Sequence, residues 1–130
     1  MKKLLILVIM ALAVISVLAG CAVEARTYTD PGQTINLADG QEFVIVLESN
    51  QTTGYSWQEQ YDNKILKLVD KSYKAREGSE SVVGAGGTEF FRFQTLSTGE
   101  TKITFTYKRA WEQPSPQDKT QTFTVDIRSG

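Results

Sequence analysis

From residue 34 onward, apolar and polar residues alternate with period two, the signature of β-strands with one face buried. Ile35 and Leu37 alternate with Thr34 and Asn36, and Asp39-Gly40 marks a turn. Phe43, Ile45 and Leu47 share one face of the next strand and Val44 and Val46 the other. A strand apolar on both faces is expected to be central and covered. The polar stretch from Ser49 to Ser56 contains Gly54 and reads as a loop, followed by a short strand with Trp57 and Tyr61. Lys64 to Lys74 is ambiguous. Ile65, Leu66, Leu68, Val69 and Tyr73 fit one side of a helix, whereas Ile65, Lys67, Val69, Lys71 and Tyr73 fit one face of a strand. The β surroundings favour the strand.

Glu77 to Gly87 contains four glycines and reads as a long flexible loop. Phe91 and Phe93 then alternate with Phe90, Arg92 and Gln94, and Thr98-Gly99-Glu100 turns the chain. Ile103, Phe105 and Tyr107 share the next inward face. Arg109 to Asp118, with Pro114 and Pro116, is another loop. Phe123, Val125 and Ile127 form the last strand, with Thr122, Thr124 and Asp126 outward. About seven short strands separated by polar turns predict an all-β protein, an immunoglobulin-like antiparallel β-sandwich. The antibody Cys…Trp…Cys pattern is absent. A domain of this size buries roughly 65% of its unfolded surface and needs no disulfide staple.

The start of the chain has a different character. Lys2 and Lys3 precede an uncharged apolar run, Leu4 to Val17, which is short for a membrane span and fits the apolar region of a secretory signal. Leu18-Ala19-Gly20-Cys21 resembles a bacterial lipobox, in which the cysteine is lipidated and becomes the first mature residue. The protein's single cysteine falls at the one position that chemistry needs. The expected division is a lipoprotein signal peptide at 1–20, a lipidated tether at 21–33 and the sandwich at 34–130. An exported protein held to the cell membrane or outer membrane through lipid on Cys21 is the expectation. More than one acyl chain is needed for stable anchoring.

Composition narrows the chemistry. The 130 residues include no histidine, which excludes a Ser-His-Asp triad, a Cys-His nucleophile pair and imidazole zinc sites. One cysteine closes no intramolecular disulfide. Removal of residues 1–20 leaves 12 of the 14 basic residues against 15 acidic ones, a net charge of −3. Such a domain lacks the basic footprint of a nucleic-acid binder. Carboxylates with cation-loop spacing are missing, so no metal and no cofactor is expected. A carboxylate enzyme such as a glycosidase is remote, since no evident acid pair stands out.

In a sandwich, loops gather at two ends and carry function. Three loops are unusual: Asn50-Gln51-Thr52-Thr53-Gly54-Tyr55, Gly84-Ala85-Gly86-Gly87 and Arg109-Ala110-Trp111-Glu112. They are expected at one end and along one edge, with Trp57 to Tyr73 counted as one bent strand. Taken singly, each has an ordinary reading: a turn with a core tyrosine, a flexible connection, a tryptophan under a proline loop. As a set they resemble the chagasin-type inhibitors of papain-like cysteine proteases. That family carries an Asn-Pro-Thr-Thr-Gly-aromatic loop, a Gly-X-Gly-Gly loop and an Arg-Pro-aromatic loop in this order. Trp57, two residues after the first motif, is also similar to the family. Gln51 and Ala110 stand where the family usually has proline. Loss of two fixed φ angles implies more mobile loops, by about 0.5–1 kcal/mol each.

The resemblance implies a reversible, tight-binding inhibitor of papain-like proteases that is not itself an enzyme. Asn50, Gln51, Thr52, Thr53, Gly54 and Tyr55 would plug the cleft, the threonine hydroxyls facing its polar groups. Gly84, Ala85, Gly86 and Gly87 would lie along its unprimed side, and Arg109, Ala110 and Trp111 would stack on its primed side. The expected partner is a papain-like cysteine protease met by a monomer, with no nucleic acid and no small-molecule substrate. A lipid-anchored adhesion or assembly module on the same scaffold is the alternative, because the fold hosts many functions.

Overall fold

The computed structural model describes residues 25–76 and 86–130. Among them, eight strands form: β1 (Arg26–Tyr28), β2 (Ile35–Ala38), β3 (Glu42–Ser49), β4 (Tyr55–Gln60), β5 (Leu66–Ala75), β6 (Gly87–Thr95), β7 (Gly99–Arg109) and β8 (Lys119–Arg128). A single 3-10 turn, Gln51–Thr53, links β3 to β4. The strands make two four-stranded sheets, ordered β1-β3-β6-β5 and β2-β8-β7-β4. The all-β sandwich expected from the alternation is therefore what the chain forms.

Alternation decides the core. The inward residues Phe43, Ile45, Phe91, Phe93, Ile103, Phe105, Phe123 and Val125 are fully buried between the sheets. Burying each such side chain contributes about 1.5–3 kcal/mol. The rings meet tilted or stacked: Phe91 and Phe105 lie 4.8 Å apart across the sheets, Phe43 and Phe93 5.5 Å apart along one. β3 is central, as its two apolar faces suggest, and Val44 on its outer face is also buried.

The details depart from the sequence reading in several places. Trp57 to Tyr73 is not one bent strand. β4 pairs with β7 in one sheet and β5 with β6 in the other, because Asp62-Asn63-Lys64 turns the chain across the sandwich. Counting them as two strands is what sets the three loops after every second strand. Arg26–Tyr28, inside the stretch read as a tether, pairs with β3, and Tyr28 packs edge-on to Phe43 at 6.4 Å. The sheet thus begins before residue 34. Two pairings are parallel, β1 with β3 and β2 with β8, so the sandwich is antiparallel only in its longer strands.

The ambiguous segment is a strand whose face changes partway. Leu66 is fully buried and Leu68 partly buried, then the register shifts between Leu68 and Asp70. Beyond the shift Lys71 stands opposite Phe91 and Tyr73 opposite Glu89. Val69 sits at the bulge and is exposed. An extra residue in one strand reverses which side chains point inward. Neither the simple helix nor the simple strand pattern fitted for that reason.

Candidate functional site

Strand direction gathers the loops. Ser49 ends β3 opposite Gly87 at the start of β6, and Ala75 ends β5 beside the same Gly87. In the second sheet Tyr55 begins β4 opposite Arg109 at the end of β7, and Lys119 begins β8 opposite Tyr107. The connections 50–54, 76–86 and 110–118 therefore leave from one end of the sandwich. The turns at Asp39-Gly40 and Thr98-Gly99 lie at the other end. Gly84 and Ala85 lie outside the described residues, as do residues 1–24.

The first loop is held by its own polar atoms. Thr52 Oγ1 donates to Asn50 Oδ1 at 2.5 Å, and Thr53 Oγ1 donates to the Asn50 carbonyl at 2.7 Å. The Gly54 N–H donates to the Gln51 carbonyl at 3.0 Å, closing the 3-10 turn. Both threonine hydroxyls, expected to serve a partner, spend their protons inside the loop. The Asn50 N–H donates to the Tyr107 hydroxyl at 2.8 Å. Tyr107 in turn lies between Tyr55 and Trp57, with ring centres 5.3 and 4.8 Å away. Hydrogen bonds thus constrain a loop that has Gln51 where proline would fix φ.

The third loop is clasped to the first. Arg109 Nε donates to the Thr53 carbonyl at 3.1 Å, its guanidinium lies 4.6 Å over the Tyr55 ring, and Nη1 pairs with Glu112 Oε1 at 3.1 Å. Glu112 closes the turn, its N–H donating to the Arg109 carbonyl at 3.1 Å, and its own carbonyl accepts from Lys108 Nζ at 2.9 Å. Arg109 is thus occupied within the domain and acts as a buckle between loops. The Trp111 ring rests on the α-carbon of Gly54, close enough that any side chain there would collide with it. Gly54 has φ +84°, which only glycine adopts freely. Trp111 remains 72% exposed, a large apolar face presented beside the exposed Gln51–Thr53 tip.

The described part of the glycine segment sits against the first loop. An atom added to Gly86 would come 3.1 Å from the Ser49 carbonyl, and the Gly86 carbonyl accepts from the Arg76 N–H at 3.1 Å. The bare Gly87 backbone lets the Tyr73 hydroxyl fold over it. Asn50 to Tyr55, Gly86, Gly87 and Arg109 to Trp111 thus form one edge. Tyr107, to which sequence reasoning assigned no role, and Glu112, named only as the last residue of the third loop, also shape that edge. Glu112 stands three residues after Arg109, an ion-pair spacing that could have revealed it; Tyr107 offered only a polar tip at the end of an inward-facing row. Among the described residues no cluster of acidic or sulfur-bearing side chains is arranged to hold a metal ion.

Comparison with known proteins agrees with this geometry. The description "Chagasin family peptidase inhibitor I42" matches residues 36–127. The chain is similar to amoebiasin-1 of Entamoeba histolytica, 34% identical over 95 residues that cover 73% of this chain and 90% of that protein. It is also similar to chagasin of Trypanosoma cruzi, 31% identical over 103 residues, covering 75% of this chain and 90% of that one. The solution structure of amebosin superimposes with a TM-score of 0.67 at 30% identity, covering 82% of this chain and all of that one. A two-sheet scaffold, three loops in the family's order and this likeness lead to one conclusion: the chain belongs to the chagasin family of peptidase inhibitors.

Proposed function

We propose that this protein is a reversible, tight-binding inhibitor of papain-like cysteine proteases that fills the active-site cleft with its loop edge. Its family consists of peptidase inhibitors, so it acts on an enzyme without being one. The observation that carries the reading is the seating of Trp111 on Gly54, which joins the first and third loops into a single wedge. The exposed Gln51–Thr53 tip enters over the catalytic cysteine and Trp111 covers the adjoining primed surface. The glycine loop lies along the unprimed side, where a backbone without side chains can approach and pair as a substrate strand does. Tryptophan and arginine dominate protein interfaces of this kind, Trp111 by contact and Arg109 by holding the contact in place. Preorganised loops lose little entropy on binding, which favours tight association.

The reading extends to the membrane. Lipidation at Cys21 holds the domain to a membrane surface, at the cell membrane or outer membrane of the exporting cell. The direction of β1 supports it. β1 runs parallel to β3, so Arg26 lies at the end of the sandwich opposite the three loops. A lipid a few residues upstream then leaves the inhibitory edge pointing away from the membrane and open to a protease.

The test is titration of papain with the purified domain while peptide hydrolysis is followed, beside trypsin as a serine protease control. Stoichiometric inhibition of papain with trypsin unaffected is expected. Undiminished papain activity at micromolar inhibitor refutes the proposal. For the anchor, cells expressing the full chain are fractionated; wild type is expected in the membrane fraction and Cys21→Ser in the soluble exported fraction. Identical partitioning of the two refutes the lipid attachment.

A further inference from the structure

The core is apolar except beneath the loops. Glu89 lies on β6, two residues beyond Gly87, and is 1% exposed. In the sheet it stands between Leu47 of β3 and Tyr73 of β5. Its Oε2 accepts the backbone N–H of Trp57, from the opposite sheet, at 2.9 Å. Its Oε1 has no hydrogen-bond partner among the described residues, and neither does Ser49 Oγ. Ser49 stands opposite Gly87, so it is the diagonal neighbour of Glu89 on the inward face. A buried carboxylate with one oxygen unpartnered is a poor choice for stability alone, since well-packed apolar residues of similar size often serve as well.

Trp57 receives this carboxylate. β4 is an edge strand, and the Trp57 backbone groups on its open side go to side chains of the other sheet. The N–H goes to Glu89, and the carbonyl accepts from Lys71 Nζ at 3.4 Å. Lys71 is itself held by Glu59 at 2.9 Å. The indole Nε1 donates to the Glu48 carbonyl at 2.8 Å. Trp57 is thus tied to β3, β5 and β6, three strands of the sheet to which it does not belong. It stands three residues beyond Gly54, and Glu89 two residues beyond Gly87. The contact between them joins the root of the first loop to the root of the glycine loop across the sandwich.

We propose that Glu89 is a positioning residue for inhibition: by holding the Trp57 N–H, its buried carboxylate sets the spacing between the Asn50–Tyr55 loop and Gly86-Gly87. The inference rests on the protease-inhibitor reading above. Apolar contacts alone leave strands free to slide, whereas a hydrogen bond to an acceptor oxygen in a dry core fixes one distance.

The experiment compares wild type, Glu89→Gln, Glu89→Leu and Glu89→Asp for the dissociation constant with papain and for the urea unfolding midpoint. Leu37→Ala, in the core at the opposite end, serves as a variant that loses stability alone. Glu89→Gln keeps an acceptor oxygen and is expected to inhibit within about threefold of wild type. Glu89→Leu lacks the acceptor and Glu89→Asp falls short by a methylene. Each is expected to bind at least roughly tenfold more weakly, mainly through faster dissociation, under conditions where its urea curve shows it folded. Leu37→Ala is expected to lower the midpoint and leave inhibition within about twofold of wild type. If Glu89→Leu does not fold, Glu89→Asp, which keeps the charge, decides. Wild-type inhibition by the folded Leu or Asp variant overturns the inference. So does Glu89→Gln as weak as Glu89→Leu, or Leu37→Ala as weak as either. A wild-type protein that does not inhibit papain refutes the functional reading itself, and the inference falls with it.

Discussion

Gly54→Ala separates the strain of a turn from the seating of the interface tryptophan. Gly54 has φ +84°. An alanine in the left-handed region costs about 1–2 kcal/mol. For a domain near 100 residues, each kcal/mol lowers Tm by roughly 4–8 °C. The new Cβ also enters space held by the outer edge of the Trp111 ring. That ring is largely exposed and free to swing outward, so the collision adds little to the folding cost. It does unseat the ring. Losing a tryptophan anchor weakens binding by about 2 kcal/mol or more, roughly 30-fold. Gly40 supplies the control. Its φ is +86°, an added Cβ there meets nothing within 4 Å, and it lies at the end away from the loops. Gly40→Ala carries the same backbone strain and displaces no ring. Thermal unfolding and the papain inhibition constant are measured for both. Similar drops in Tm are expected, with inhibition lost only in Gly54→Ala. Equal inhibition by the two variants would show that Trp111 does not depend on Gly54 and would refute the wedge.

Trp111→Ala is expected to change unfolding free energy by no more than about 0.5 kcal/mol, because the side chain is exposed, while weakening papain inhibition about 30-fold or more. Arg109→Lys keeps the charge and loses the fork that reaches Thr53 and Glu112 together. Since these contacts are part-exposed, stability is expected to fall by only about 0.5–1 kcal/mol, with faster amide hydrogen exchange at Gly54 as the sharper readout. Phe105→Ala removes a fully buried ring that touches Phe91 and Phe123, and urea unfolding is expected to register a loss of about 3–5 kcal/mol.

How legible each feature was depends on the range of the interaction behind it. Phe91, Phe93, Ile103, Phe105, Phe123 and Val125 were readable as core because side-chain direction alternates along any strand whatever it pairs with. The three loops were readable as a set, because their glycines, threonines and tryptophan fall between predicted strands in the order of the chagasin-type motifs. The bulge at Val69 was not, since an irregularity in β5 is defined only against its partner β6. Nor was the division of Trp57 to Tyr73 between two sheets, because a strand's sheet is chosen by its neighbours and not by its own pattern. β1 escaped notice because three residues are too few to establish a period.

Arg109 marks the boundary most clearly. Its place in an Arg-X-aromatic loop was evident, but its work was not. The Thr53 carbonyl it reaches is 56 residues away in the chain, and only the pairing of β4 with β7 brings the two together. Glu89 is the same case: an alternating strand gave it an inward direction, and the opposing sheet, 32 residues away in sequence, gave it a partner. The amino-acid order alone settled most of the strands, their inward faces and the residue types of the loops, because these follow from a two-residue repeat and from side chains acting over a few positions. Tertiary structure decided that Trp57 to Tyr73 divides between two sheets, that Arg109 and Trp111 fasten the loops together, and that the first strand starts from the far end. Those outcomes depend on which distant strands pair and in which direction, and no local pattern carries that information.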